Sequence, residues 1–423
     1  MLTADDPREA GGSPQLDAGL GDDDLGLDGH HAAIGRVDAA QCDPVAAAWL
    51  MCLGAVLTLA DAATVLVTLG GDRSAAVQDV NFIGGRWQRA RTPPRTTSRG
   101  AGWTVMPQRQ RLDTGRCWMK AIMVTDQAAG MAGMTLAERP VPEAAGNDVL
   151  VEVHASGFTP GELSWPSNWT DRLGRDRTPS IPGHELAGVV STLGYGTTGL
   201  SVGQRVFGLT DWTRDGTLAE YAVVEARNLA PLPGDVDFTV GASLPISGLT
   251  AWQGLFEHGR LQPGQSALVH GAAGGVGSMV TQLAREAGAY IIGTGRAADR
   301  QRALDFGAKE FIDLDNDSLE DVGGVDLVFD VIGGDIGKRS AALVRAGGTL
   351  VTIAGPPEAR PADGLAIDFV VVSDRAQLSE IVQRVRDGRL RTVIGNVATL
   401  DDAVAAFNPT ERVKGKTIIR VRP

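Results

Sequence analysis

Gly271-Ala272-Ala273-Gly274-Gly275-Val276-Gly277 follows the apolar run Ser266-Ala267-Leu268-Val269-His270 and precedes the helical pattern Ser278–Ala287. Counted back from Gly277, Gly274 takes the middle place of a Gly-x-Gly-x-x-Gly fingerprint, with Ala272 where the first glycine would stand. Glycines at such a bend let the main chain approach a diphosphate, and the helix start beyond it offers unpaired N–H groups and a partial positive charge. The bland alternative is a tight turn between packed elements; strand, turn and helix in this order favour the phosphate cradle. The next strand, Tyr290-Ile291-Ile292-Gly293-Thr294, ends at Gly295-Arg296, and no acid follows until Asp299. An acid at that end would bond unphosphorylated ribose hydroxyls, whereas a small residue with a guanidinium fits a 2′-phosphate. Thr294, Gly295 and Arg296 are therefore expected to meet the adenosine end of NADP(H) rather than NAD(H), against a reading of Arg296 as a solvated surface arginine.

Two kinds of element must hold this loop. Met119–Val124, Val149–Ala155, Gly183–Val190, Arg205–Leu209 and Leu218–Val224 read as short strands between Gly, Pro and Asp turns, so that about residues 119–235 form a β-rich unit. From Val240 the texture changes. Helical patterns at Gly241–Glu257 and Ser278–Ala287 alternate with strands at Ser266–His270, Tyr290–Thr294, Leu327–Val331 and Thr349–Ile353. That alternation predicts a parallel sheet covered by helices on both faces. Strand Phe369–Val372, helices Gln377–Asp387 and Leu400–Ala406, and strand Lys416–Val421 close the chain.

The 423 residues suffice for two or three domains, and 43% hydrophobic against 21% charged residues allows a sizeable core. A net charge of −12 sets nucleic acid aside as a partner. Three cysteines exclude a disulfide scaffold; Cys42, Cys52 and Cys117 all precede Met119, whereas every lysine, from Lys120 onward, follows it. Residues 1–40, rich in Asp, Gly and Ala, read as disordered, and residues 80–118, with eight arginines against Asp113, read as loop or linker. Val45–Leu69 is apolar apart from Asp61 and long enough to cross a bilayer, but the mid-span carboxylate disfavours a membrane span, and the acidic start disfavours a secretory signal. The composition break suggests a gene start set too far upstream, with function carried after Met119.

The chain after Met119 resembles the medium-chain dehydrogenase/reductase superfamily, and within it the zinc-independent quinone oxidoreductase branch. The signatures are Pro182-Gly183-His184-Glu185-Leu186-Ala187-Gly188, Gly203-Gln204-Arg205-Val206-Phe207-Gly208, Gly216-Thr217-Leu218-Ala219-Glu220-Tyr221, Leu244-Pro245-Ile246-Ser247-Gly248-Leu249-Thr250-Ala251-Trp252, the 271–277 loop, and Val325-Asp326 through Gly333-Gly334. The resemblance implies an α/β fold: a GroES-like β-rich catalytic domain (119–239 and 369–423) around a Rossmann domain with a doubly wound parallel sheet (240–368), preceded by a largely disordered extension (1–118). The active site would lie in the cleft between the two domains.

Family positions also imply roles. Ile332-Gly333-Gly334 and Ala354-Gly355 would end sheet strands beside the cofactor, Thr250 would contact it from a cleft-facing helix, and Lys414 would reach its phosphates or remain solvated. Zinc-dependent relatives use cysteine, histidine and a further cysteine; His184-Glu185 stands at the ligand pair, but Thr159 and Pro245-Ile246-Ser247 occupy the cysteine positions without a thiolate. Two ligands do not make a catalytic zinc site, so no metal is expected and His184 reads as a hydrogen-bonded cleft or core residue. Thr159 and Glu162 stand where quinone reductases usually show Asn and Asp. They are the candidate catalytic residues, with Glu162 as proton relay or as a surface or helix-start carboxylate. Trp165, Trp169 and Trp212 either line an aromatic substrate cleft or simply pack. The activity implied is hydride transfer from NADPH to a quinone or α,β-unsaturated carbonyl by a cytoplasmic enzyme, with a homodimer among the assembly states the resemblance implies. The rivals are a zinc-type alcohol dehydrogenase and a non-catalytic NADPH-binding regulator.

Overall fold

The computed structural model describes residues 80–83, 86–89, 117–159, 161–409 and 414–422. The apolar run 45–69 and the acidic stretch 1–40 lie outside the described residues. Val80–Ile83 and Arg86–Arg89 pair antiparallel, with Phe82 opposite Trp87. This corrects the reading of 80–118 as loop or linker throughout: Val80, Phe82, Ile83 and Trp87 are β-favouring residues.

After Cys117 two large sheets organise the described chain, beside a two-stranded antiparallel pair of Trp118–Met123 with Thr135–Pro140. In the first, Asp148–Gly157 pairs antiparallel with Glu185–Leu193, Tyr221–Glu225 and Lys416–Arg420. Glu185–Leu193 carries Arg205–Leu209 and then Leu229–Pro231, while Ile394–Thr399 runs parallel to Lys416–Arg420. The last strands of the chain thus complete a sheet begun near residue 148. Strand periodicity sends Val149, Val151 and Val153 into one core with Leu186, Val190 and Val206.

The second sheet is parallel throughout, in the order Glu310–Asp313, Tyr290–Gly295, Ser266–Val269, Val325–Asp330, Val344–Thr352, Gly364–Asp368. Its central strands are buried on both faces: Leu268 and Val328 enter one core, while Ala267, Val269, Leu327 and Phe329 enter the other. The strand order reverses between Ser266–Val269 and Val325–Asp330. Connections therefore leave in opposite directions there and open a crevice at the carboxyl ends, where such sheets bind ligands. The core that holds Val269 and Phe329 runs on through helices Pro245–Trp252 and Arg375–Arg386 to Ala187, Phe207 and Leu209 of the first sheet.

Two expected elements change. Gly241–Glu257 is not one helix: Phe238–Ser243 ends, Pro245 begins Pro245–Trp252, and Gln253–His258 continues as a wider i→i+5 turn. Pro245 has no N–H to give inside a helix, so the chain restarts with proline in the first turn, where no bond is lost. The strand expected at Phe369–Val372 is instead Gly364–Asp368, whose Leu365 and Ile367 pair with Thr349 and Val351. Val370 and Val372 lie exposed beyond it. Among the described residues no helix is long and apolar enough to cross a membrane.

Candidate active site

The glycine loop is built by contact. A Cβ on Gly277 would lie 2.1 Å from the Gly271 carbonyl oxygen, so only glycine lets helix Gly275–Glu286 start against the bend. Gly271 itself has φ 61°, in the left-handed region. Ala272 is buried and gives its N–H to the Thr294 carbonyl (3.0 Å), which ties the loop to the neighbouring strand. Ala273 is buried, and partly buried Val276 packs on the core. At Gly274 and Gly275 no side chain caps the helix, and a Cβ on Gly275 would meet nothing closer than 3.8 Å. The result is a main-chain cradle open in front of an uncapped helix start, which fits a diphosphate.

At the end of Tyr290–Gly295, buried Thr294 accepts or donates to His270 Nδ1 (2.9 Å), and His270 Nε2 reaches Ser340 (2.7 Å). Burial lowers the His270 imidazole to about 4, with Asp330 opposing the shift. Gly295 presents no side chain; a Cβ there would already press on the Phe311 ring at 3.2 Å. Arg296 is exposed and forms no ion pair among the described residues. Lys414 does not stand free: its ammonium pairs with Asp299 (2.9 Å) and donates to the Ala298 carbonyl (3.3 Å). Lys414 thus neutralises the acid of this loop and, among the described residues, leaves the exposed Arg296 guanidinium as the uncompensated charge at the end of Tyr290–Gly295. That chemistry fits a phosphorylated ribose better than free hydroxyls.

Across the crevice, buried Asp330 accepts the amides of Ile332 (2.8 Å) and Gly333 (3.0 Å) and fixes that turn. A Cβ on Gly271 would lie 3.0 Å from Val331, and one on Gly333 2.7 Å from the Ala354 Cβ, so the three loops touch; Gly333 and Gly355 line one cavity, and Ile332 is exposed. Thr250 is buried on Pro245–Trp252, one turn beyond Ser247, whose hydroxyl lies 3.8 Å from the Cβ position of Gly275.

The candidate catalytic pair lies in the first sheet's neighbourhood. Glu162 opens the short turn Glu162–Ser164 and is fully buried, which removes the surface reading. It accepts the amides of Gly183 (2.7 Å) and Thr159 (3.3 Å), and its Oε1 lies 2.7 Å from His184 Nδ1. The Thr159 hydroxyl is buried without a hydrogen-bond partner among the described residues. The rings of Trp165 and Trp212 stand edge to face at 5.2 Å, and Trp212 lies 4.9 Å from the His184 ring. Trp169 departs from this wall: it is buried in a separate core, where its indole N–H donates to the Leu163 carbonyl (2.7 Å).

His184 and Glu185 part company. Successive side chains on extended backbone point to opposite faces, so while His184 meets Glu162, Glu185 pairs with buried Lys416 and accepts the Ile246 amide (3.0 Å). Thr159 and Ser247 add only hydroxyls. Among the described residues no group of three His, Cys, Asp or Glu side chains is placed to hold a metal, so this donor set does not fit a catalytic zinc. Sequence reasoning missed the pairings Glu162–His184 and Glu185–Lys416. The His184-Glu185 motif marks the place, but partners 22 and 231 residues away leave no local signal.

Against known proteins, the model for alcohol dehydrogenase GroES-like domains matches residues 145–234, and that for zinc-binding dehydrogenases matches 306–419. The quinone oxidoreductase of Rattus norvegicus is 30% identical over 324 residues, 72% of this chain and 97% of the rat protein. The 2-methylene-furan-3-one reductase of Solanum lycopersicum is 30% identical over 326 residues, covering 72% of this chain and 80% of the tomato protein. The solved quinone oxidoreductase from Coxiella burnetii superposes with a TM-score of 0.67 at 26% identity, over 72% of this chain and all of that one.

Proposed function

The chain belongs to the quinone-oxidoreductase-like branch of the medium-chain dehydrogenase/reductase superfamily and is a nicotinamide-dependent oxidoreductase, and from that premise we propose that it carries hydride from NADPH to a quinone or an α,β-unsaturated carbonyl without zinc. The observation that carries this reading is the Thr159 hydroxyl, buried beside an acid–imidazole pair and, among the described residues, with neither a hydrogen-bond partner nor a third metal-ligating side chain at the pair.

The bound nicotinamide supplies the hydride. The chain supplies the rest. Gly271–Gly277 cradles the diphosphate on main-chain N–H groups, Arg296 and Lys414 meet the 2′-phosphate, and Ile332, Gly333, Gly355 and Thr250 border the nicotinamide half. The two halves of the site are in contact, because the Lys416 stem approaches the Gly275 position at 3.8 Å and its ammonium holds Glu185, the neighbour of His184. Trp165 and Trp212 offer flat apolar faces to a conjugated acceptor. The Thr159 O–H donates to the oxygen on which negative charge gathers, a preformed electrostatic role that needs no Lewis acid. Alcohol oxidation would lack a metal to stabilise the alkoxide, whereas conjugate reduction spreads its charge into an enolate or quinol oxygen.

The test is NADPH oxidation by the full chain against a panel of quinones and enones, with cofactor binding and metal content measured in parallel. Turnover with sub-stoichiometric zinc is expected. Tight NADPH binding with no acceptor consumed would leave a binding protein, and activity lost on zinc removal would leave an alcohol dehydrogenase.

A further inference from the structure

Both ring nitrogens of His184 face hydrogen-bond acceptors. Nε2 lies 3.3 Å from the Trp212 carbonyl oxygen, which has no hydrogen to give, and Nδ1 lies 2.7 Å from Glu162 Oε1. The two side chains are fully buried, and among the described residues neither nitrogen has another partner. Satisfying both contacts therefore takes a hydrogen on Nε2 and a second proton between Nδ1 and Glu162. A neutral imidazole protonated only at Nδ1, facing a carboxylate, would turn its Nε2 lone pair onto the Trp212 oxygen. The pair is neutral overall, as burial requires, and holds one proton more than that alternative.

We propose that Glu162 and His184 form a buried proton reservoir that completes the reduction; this rests on the reading given under Proposed function. The step balances as follows. A hydride adds to the β-carbon of the enone, the C=C electron pair moves onto the carbonyl oxygen as an enolate, and one proton from the reservoir forms the α C–H bond as the carbonyl returns. The proton leaves through Glu162, whose Oε2 lies beside Thr159 (3.3 Å from its amide nitrogen), while the Thr159 O–H stays on the enolate oxygen. The reservoir, left as an Nε2–H imidazole and a carboxylate, regains a proton from water after product leaves. A quinone needs the reservoir less, because its reduced oxygens take protons from water directly.

Nitrogen-15 NMR of the full chain labelled in histidine, at pH 7 and without cofactor, counts the protons on His184, assigned by signal loss in His184→Gln. Hydrogens on both nitrogens, or on Nε2 with a strongly deshielded proton shared with Glu162, are expected. A His184 protonated at Nδ1 alone overturns the proposal. In kinetics, Glu162→Gln should lower kcat for an enone by about 10²–10³-fold, the range of a lost general acid, with little change in acceptor KM and a larger solvent deuterium isotope effect. The loss should exceed that for a quinone by at least about tenfold. Equal losses for both acceptors, or loss of NADPH binding, would make the pair structural and refute the reservoir. Should E162Q fail to fold, H184Q is read the same way. A wild-type protein that reduces no acceptor overturns the functional reading, and the NMR proton count still stands as a separate result.

Discussion

The Lys416 ammonium rests on the Glu185 carboxylate with both side chains buried, and joins the last strand of the chain to the strand Glu185–Leu193. Glu185 Oε2 also takes the Ile246 amide (3.0 Å), and Lys416 Nζ donates to the Ser243 carbonyl (3.2 Å), so the start of helix Pro245–Trp252 is pinned by the same pair. Burial pushes the Glu185 carboxyl up, and the ammonium pulls against it.

Removing one partner should therefore cost far more than removing both. Lys416→Met leaves a buried carboxylate unpaired, and a loss of about 3–5 kcal/mol is expected. The double variant K416M/E185M should recover most of that, since two apolar groups of similar volume fill the same space. Urea midpoints of the wild type, K416M and the double variant give the comparison; a double variant as weak as K416M would show that the pair does something other than neutralise itself.

His270 makes stability pH-dependent in a defined window. Its ordinary value is 6.5 and its folded value is about 4, because the ring is buried between Thr294 and Ser340. Between those values the unfolded chain binds a proton that the folded chain refuses. Stability is thus complete above about pH 6.5 and falls as pH drops toward 4, by about 3 kcal/mol in all. Urea midpoints of wild type and His270→Gln from pH 8 to 4 isolate this share from that of the carboxylates. Parallel curves through the window would refute it.

The strand–helix alternation that implies a parallel sheet, and the strand–bend–helix at Gly271–Gly277, were legible in the sequence because both are local. Continuous apolar runs such as Ala267–Val269 and Leu327–Phe329 are buried on both faces, and a strand, a bend and a helix lie within a few residues of one another. The catalytic half was less legible because its contacts are long-range. Glu162 reads as a polar residue in a loop, and nothing near it foretells full burial under the Gly183 amide and the His184 ring. Trp169 and Trp165 are four residues apart in one loop, yet the turn Pro166–Asn168 sends one into the core and leaves the other beside Trp212. The shift of the sixth strand to Gly364–Asp368 has the same origin: Phe369–Val372 is the more apolar run, but Leu365–Ile367 has the partner strand.

Arg296 should set the choice between the two nicotinamide cofactors. It is exposed, and among the described residues it has no ion-pair partner to surrender. A guanidinium forked onto a phosphate is worth about 1.5–3 kcal/mol, so Arg296→Ala should weaken NADPH about 10–100-fold. NADH, which offers no phosphate there, should bind as before, and added salt should narrow the difference. Fluorescence titrations with both cofactors check this; equal losses would place Arg296 outside the 2′-phosphate site.

Gly277→Ala tests the cradle itself. The new methyl would sit 2.1 Å from the Gly271 oxygen and 2.7 Å from its carbonyl carbon, both main-chain atoms that cannot swing aside. Either the helix start or the bend must move, at a cost of about 1–3 kcal/mol typical of overpacking. A diphosphate cradle of main-chain N–H groups tolerates about 0.5 Å of displacement, so on the proposed reading that shift should weaken NADPH and NADH alike by at least tenfold. Gly234→Ala is the control, since a Cβ there meets nothing within 4 Å. Calorimetric titration of both variants, with thermal midpoints alongside, separates lost affinity from lost fold. A G277A protein that bound either cofactor like wild type would show that the diphosphate rests elsewhere.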